Sequence, residues 1–371
     1  MKNDHSIALV AFYEASAGGH GAAEVTLSLY DSINCKKKKF EIKKYSIFKF
    51  FEKINLNIFE NIFKLIYLVV LNYKIVKYLN QYKKNIVIIE GASWIGYSYF
   101  TIKIIKFFKP KTKFIYHAHN IEYYLRRKKN NIFISFLTKV LEKKLYKIVD
   151  IGTVVSKVDQ IEIKKLYKIK TLILSNGINK KRLKIKKINK HLPKNFIIFS
   201  GSYSFFPNKE SINLIIHKIF PNILKKYPDM KLVITGKDFP IDKFNNYNFI
   251  YYYKDIPKHY LNYLFLKSKF LLAPMFNATG TKLKIIEALM LGSIIISSKE
   301  GMNGIFLPKK INPPFIFNSK SEMYKMVDIA INNNKILKKN AKLKSYFYKK
   351  NYSMENITKD FFADVKLIIN N

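Results

Sequence analysis

The sequence predicts an α/β protein built from two Rossmann-like domains, each a parallel sheet covered by helices. Three observations carry this. A chain of 371 residues is longer than one hydrophobic core usually encloses. Short apolar runs alternate with amphipathic stretches, as in strand–helix units whose strands are buried on both faces. A strand, a glycine-bearing turn and a helix open the chain, and the same layout starts again near residue 195.

The elements follow in order. Ile7 to Phe12 reads as the first buried strand, and Tyr13 to Gly21 as a loop rich in Gly and Ala. Ala22 to Ile33 is a helix with Val25, Leu29 and Ile33 on one face. Gly18, Gly19 and His20 sit in that loop, either as small turn residues or facing a ligand; the G-x-G-x-x-G spacing of a dinucleotide site is absent. Phe40 to Tyr45 is a second strand. Asn57 to Tyr82 is helical and mixes Phe and Ile with Lys, so it either packs on the sheet with its lysines in water or lies on a membrane surface. Asn85 to Ile89 is a strand ending at Glu90-Gly91, and Ser98 to Phe108 a helix stopped by Pro110.

Phe114 to Tyr116 is a strand, and His117 and His119 project to the same side at its carboxyl end. Ligand sites in open α/β sheets gather at such ends. The two histidines are packed structural side chains or site residues. His-x-His also resembles half of a metal site, but no carboxylate or third histidine lies nearby in sequence, so no metal is expected. Ile132 to Ile148 is an amphipathic helix, Asp150 to Ser156 a strand, Lys157 to Tyr167 a helix, and Thr171 to Ile178 the last strand of a first domain, 1–180.

Residues 181–194 are densely basic and read as an interdomain linker. The second domain, 195–352, starts with a strand from Asn195 to Ser202 and a helix from Asn208 to Tyr227. Strands follow at Met230–Gly236, Asn248–Tyr253, Lys269–Pro274 and Pro314–Phe317, with helices at Tyr260–Leu266 and at Ser321–Asn332, the latter capped by Ser321. Residues 353–371 form a final helix.

The most informative stretch is Asn277 to Gly301, which reads as loop, helix, turn and buried strand. Gly280 permits a tight or left-handed backbone, Thr281 caps the helix, and Gly292 ends it. Free amides at Thr281 and Lys282 and the helix dipole make this start an anion site, well suited to a pyrophosphate. Glu287, in the second turn, is placed to accept hydrogen bonds from sugar hydroxyls. An ordinary capped helix with Glu287 in water is the other reading.

Bulk properties bound the function. Hydrophobic residues make up 49% of the chain, enough for real cores. The single Cys35 rules out a disulfide framework and makes a reducing, cytoplasmic setting the default. No secretory signal and no apolar run of about 20 residues is visible, so no spanning helix is expected. Lys and Arg number 67 against 25 Asp and Glu, for a net charge of +42. Such a field favours nucleic acid, an anionic membrane or anionic small molecules. Only Arg126, Arg127 and Arg182 are arginines, and the joint abundance of Ile, Asn, Tyr, Phe and Lys points to compositional bias behind part of the charge. The rest suits peripheral attachment to an anionic inner leaflet. No nucleic-acid-binding motif is present, so a basic nucleic-acid-binding protein is a rival without a motif, and no nucleic acid partner is expected.

The segment from Ala278 to Gly292 resembles the donor-site segment of GT-B glycosyltransferases of the family-4 type (glycosyl transferases group 1). In that family the glutamate matched by Glu287 serves the nucleotide ribose. An earlier glutamate found in many relatives falls on Thr279, so that carboxylate is missing here. The resemblance implies a GT-B fold, two Rossmann-like domains facing a central cleft, with the acceptor in the first and a nucleotide-sugar in the second, and the final helix returning to the first domain. It implies a hexosyltransferase-type enzyme that retains anomeric configuration, acting on a glycan, lipid-linked or other cell-envelope acceptor, as in polysaccharide biosynthesis. It places Gly201, Thr279, Gly280, Thr281, Lys282, Lys284 and Glu287 at the donor, Gly18, Gly19 and His20 at the acceptor and phosphates, and His119, with His117 as second choice, at the reacting sugar. No Asp-x-Asp occurs, so the diphosphate countercharge is expected from the helix start and Lys282 or Lys284 rather than from a metal, and no cofactor is expected. A sugar-nucleotide epimerase on the same fold is the alternative.

Overall fold

The computed structural model describes residues 5–15, 21–42, 57–91, 94–128, 132–187, 191–276, 280–307 and 314–370. It divides into two compact units, Met1–Asn176 with Ile357–Asn371, and Gly177–Asn356. Each unit is built on one six-stranded sheet, and every pairing in both sheets is parallel.

The first sheet contains β1 (His5–Ala11), β2 (Lys36–Glu41), β3 (Lys84–Gly91), β4 (Lys113–Ala118), β5 (Ile151–Val154) and β6 (Leu172–Ile173), in the order β2-β1-β3-β4-β5-β6. Its helices are α1 (Gly21–Ser32), α2 (Asn57–Leu79), α3 (Ile95–Phe108), α4 (Glu122–Lys128), α5 (Ile132–Ile148) and α6 (Lys157–Tyr167). The order reverses between β1 and β3, and such a switch point opens a crevice at the carboxyl ends of its strands. One core joins Val10, Val87, Ile89, Phe114 and Tyr116 of the sheet to Ile75, Ile102 and Leu145 of the helices.

The second sheet contains β7 (Phe196–Ser200), β8 (Lys231–Gly236), β9 (Ile250–Lys254), β10 (Leu271–Ala273), β11 (Ile295–Ser298) and β12 (Phe315–Phe317), ordered β12-β11-β10-β7-β8-β9. Its switch point lies between β7 and β10. Alternate residues of β7 serve opposite faces. Ile197 and Phe199 join one core, and Phe196 and Ile198 the other. The helices are α7 (Phe206–Leu214), a π-helical turn (Ile215–Ile219), α8 (Phe220–Lys226), α9 (Lys258–Lys267), α10 (Leu283–Leu291), α11 (Lys320–Asn332) and α12 (Asn334–Tyr352); α13 (Met354–Asn370) closes the chain.

Several expectations are corrected. The second strand lies at Lys36–Glu41 rather than at 40–45, because Ser6 to Ala11 pair with Lys36 to Glu41 along the sheet edge. Phe40 alone of that strand is buried, which is why its lysines hid it. The helix expected at 208–227 is interrupted by the π turn just before Pro221, a residue that cannot donate to a continuous α-helical ladder. The strand expected at 171–178 shrinks to two residues. Ser319, not Ser321, caps α11, accepting from the Glu322 amide. Residues 181–187 and 191–194 fall inside the second unit. Buried Asn262 donates to the carbonyls of Arg182 and Lys184, and the Lys186 amide donates to His259. That basic stretch is thus held by hydrogen bonds to its backbone, with Leu183 and Leu192 packed against the adjoining core. The helices α4 and α12 were not anticipated at all.

Candidate functional sites at the two switch points

In the second unit, the chain crosses the switch point at Ser200-Gly201 and at the start of α10. Gly201 has φ 155° and Gly236, ending the next strand, φ 133°. A Cβ on Gly201 would strike the side chain of Asn208, and one on Gly236 would strike the Gly201 carbonyl. The two backbones therefore touch, and only glycine fits. The neighbouring strand ends are strained as well. Asp238 and Asp255, neither of them glycine, have φ 62° and 45°. Strained backbone of this kind concentrates at functional sites.

The start of α10 differs by one residue from expectation. Lys282, not Thr281, is the N-cap, with no side-chain capping bond, and it is buried. Its Nζ reaches back to the Gly280 carbonyl, where φ is 68°. The Thr281 hydroxyl is buried and has no partner among the described residues. Gly292 ends the helix in the left-handed region, as expected. Lys284 joins the helix to β7: its Nζ donates to the Ser200 carbonyl at 2.7 Å and to Asn208 Oδ1 at 2.9 Å, over the Phe199 ring. Burial, and then the charge of Lys282, brings the Lys284 ammonium down to about 7. Asn208 also donates to the Ser202 carbonyl at 2.9 Å, so it fixes the Gly201 turn and Lys284 together.

Glu287 is 2% exposed. Its Oε2 pairs with Lys258 Nζ, at the start of α9, while Oε1 is buried with no partner among the described residues. The structure thus groups Gly201, Gly280, Thr281, Lys282, Lys284 and Glu287 around one strand end and one helix start. Thr279 lies outside the described residues.

In the first unit, the switch point holds a buried carboxylate. Glu90, the last residue but one of β3, stands directly beside His117 of β4 in the ladder. Glu90 Oε1 lies 3.2 Å from His117 Nδ1, and Oε2 lies 2.7 Å from His119 Nε2. Thr26 of α1 donates to Oε2 at 2.7 Å and bonds the Tyr13 hydroxyl at 2.7 Å. His117 Nε2 lies 3.1 Å from the Leu174 carbonyl. Burial pushes the Glu90 carboxyl up, but the charges and hydrogen bonds of His117 and His119 outweigh it and hold the group well below the usual carboxylate range. Burial lowers His119 despite its bond to Glu90. A neutral His119 donating through Nε2 keeps a lone pair on Nδ1. His117 meets an oxygen acceptor at each ring nitrogen, which leaves it neither nitrogen to offer a ligand.

Glu90, His117 and His119 each offer one ligand atom, all within 4.8 Å, so the structure supplies the carboxylate that the sequence reading lacked for a metal. Two imidazoles and a carboxylate suit zinc. Against that fit, the Leu174 carbonyl and Glu90 already occupy both nitrogens of His117. Gly18, Gly19 and His20 lie outside the described residues. Glu90, Thr26, Asn208 and Lys258 were missed in the sequence. Only Glu90 left a signal there, a carboxylate at the end of an apolar strand.

Comparison with known proteins bears on the family and the fold. Residues 194–326 match the family model described as glycosyl transferases group 1. The second unit therefore carries a glycosyltransferase domain, and the enzyme class expected from the sequence is the class of that domain. Solved structures share the fold across the chain. HepE of Anabaena in complex with UDP superposes with a TM-score of 0.70 at 11% identity, over 97% of this chain and 99% of that one. Sucrose-phosphate synthase from Thermosynechococcus elongatus gives 0.69 at 11%, over 99% of each chain. The catalytic domain of starch synthase IV from Arabidopsis thaliana, bound to ADP and acarbose, gives 0.68 at 11%, over 100% of each. The fold is GT-B. No curated protein matches the chain in sequence.

Proposed function

We propose that the protein transfers a sugar from a nucleotide-sugar donor to a glycan, lipid-linked or other cell-envelope acceptor, with retention of configuration and without a metal. The observation that carries this reading is Glu287: a buried carboxylate with one oxygen left unpartnered, one and a half turns into the helix whose start faces the Gly201 turn. A ribose hydroxyl is a natural donor to that oxygen. The amides at the start of α10, with Lys282 and Lys284, supply countercharge for a diphosphate. The nucleoside diphosphates bound in neighbouring structures, UDP in HepE and ADP in starch synthase IV, are the leaving groups that such donors release. His119, neutral and oriented by Glu90, takes the acid/base or orienting role. His117 serves as its support, since both its nitrogens are already bonded, and Glu90 acts as hydrogen-bond acceptor rather than metal ligand. The test is incubation with UDP-, ADP- and GDP-sugars and candidate acceptors in excess EDTA, with products separated by mass. Glycosylated acceptor is expected. An isomerised donor would indicate an epimerase, and activity lost to EDTA would contradict metal independence.

Attachment to an anionic membrane belongs to the same reading. What supports it is the outer side of the helices over the first sheet. Val69 and Tyr73 of α2, Phe100 and Phe107 of α3, and Phe133 and Phe136 of α5 are exposed, and α3 contacts both neighbours. Lysines such as Lys74, Lys103 and Lys143 are interleaved and exposed. Exposed aromatic groups with lysines fit a bilayer interface of negative charge. No described helix is long and apolar enough to cross a membrane.

A further inference from the structure

Lys258 occupies a position that sequence patterns do not single out. It opens α9 directly after Asp255-Ile256-Pro257, where Asp255 holds a left-handed backbone at the end of β9. Its ammonium pairs with Glu287 Oε2 and is itself partly exposed, 27% against 3% for the carboxylate side chain. Glu287 therefore sits behind Lys258, with Oε1 left over.

Two physical requirements meet here. A carboxylate buried without a cation is strongly disfavoured. A carboxylate close to a bound diphosphate also repels it unless its charge is cancelled. Lys258 meets both requirements through one oxygen and leaves the other free to accept. The lysine also fixes the carboxylate's rotation, so that Oε1 is oriented before a ligand arrives, and preorganisation of this kind is what a recognition group needs. A bracing ion pair between α9 and α10 alone would not require the second oxygen to be left bare.

We propose that Lys258 is a positioning residue for nucleoside recognition: it neutralises and orients Glu287 so that Oε1 accepts a hydrogen bond from a ribose hydroxyl. This rests on the donor reading given above. The substrate feature selected is the vicinal diol of a ribonucleoside diphosphate, and a nucleotide lacking it forfeits the contact.

The test compares UDP and 2′,3′-dideoxy-UDP, with ADP and GDP run in parallel, by calorimetry on the full chain. Wild-type protein is expected to bind the ribonucleotide about tenfold or more tightly than its dideoxy analogue, the worth of one hydrogen bond to a charged group. Lys258→Met, which leaves the Glu287 charge uncancelled and its free oxygen unaimed, is expected to weaken both nucleotides and to cut the ribonucleotide's advantage to about twofold or less. Lys258→Arg is expected to restore most of it, with cooperative unfolding transitions showing that the variants are folded. If Lys258→Met weakens both nucleotides equally, or neither, the positioning role is overturned and the donor site stands. If wild-type protein binds none of the three ribonucleotides, the donor reading falls and the inference with it.

Discussion

At the scale of single residues, chemistry depends on what each side chain has left to offer. Both His117 nitrogens are engaged, whereas His119 uses one on Glu90 and keeps the other. Replacing His119 by Ala is expected to cut turnover by about a hundredfold or more, within the range for loss of a positioned acid or base. Nucleoside diphosphate affinity should stay within about twofold, because His119 and the nucleotide site belong to different units. Calorimetry beside a turnover assay checks this, and loss of nucleotide binding with retained turnover would refute the assignment. The candidate residues were only partly legible in the sequence. Glu287 and Lys284 stood out because they share a helix with a recognisable start. Glu90 and Lys258 did not, because their partners lie 27 to 29 residues away, and only the sheet and the helix pair bring them together.

At the scale of elements, the capping of α4 shows what local patterns cannot display. Its first amides, Glu122 and Tyr123, donate to the buried Glu142 carboxylate of α5 at 3.0 and 3.2 Å, and Tyr167 donates to the same group at 2.6 Å. No residue adjacent to α4 announces that cap, so the helix was missed. Helices with strong apolar periodicity, such as Ile132–Ile148 and Lys157–Tyr167, were read to the residue. The helix α12 was missed for the opposite reason, since its many lysines obscure Leu337, Ala341 and Tyr348. Burial brings the Glu142 carboxyl up to about 7, against the pull of Tyr167 and the two amides. A pKa raised by folding means that the protonated form is the one folding favours. The stabilisation is complete below the unfolded value, near 4.5, and is lost as pH rises through about 7. Between pH 5 and 8, wild-type protein should therefore lose stability relative to Glu142→Gln, which keeps an acceptor but cannot ionise. Unfolding midpoints across that range decide it, and a constant difference between the two would show that Glu142 is not raised.

At the scale of the whole molecule, the two sheets were legible from alternating apolar runs, and the strand orders place both residue clusters at switch points. What sequence could not apportion was the charge of +42. The exposed aromatic and lysine face of the first unit gives part of it a use, and sedimentation with liposomes tests that use. Binding to anionic vesicles that weakens as salt rises is expected, since surface attraction is screened within about 10 Å at 0.1 M ionic strength; equal binding to neutral vesicles would contradict it. The central claim, however, is that the Glu287 carboxylate grips the ribose of an activated sugar in the second unit. Calorimetric titration of wild-type protein and Glu287→Ala with UDP, ADP and GDP tests it most directly. At least one nucleotide should bind wild-type protein, and the variant should bind it about tenfold or more weakly, the cost of one hydrogen bond to a charged group. Equal affinity in the two proteins would contradict the account.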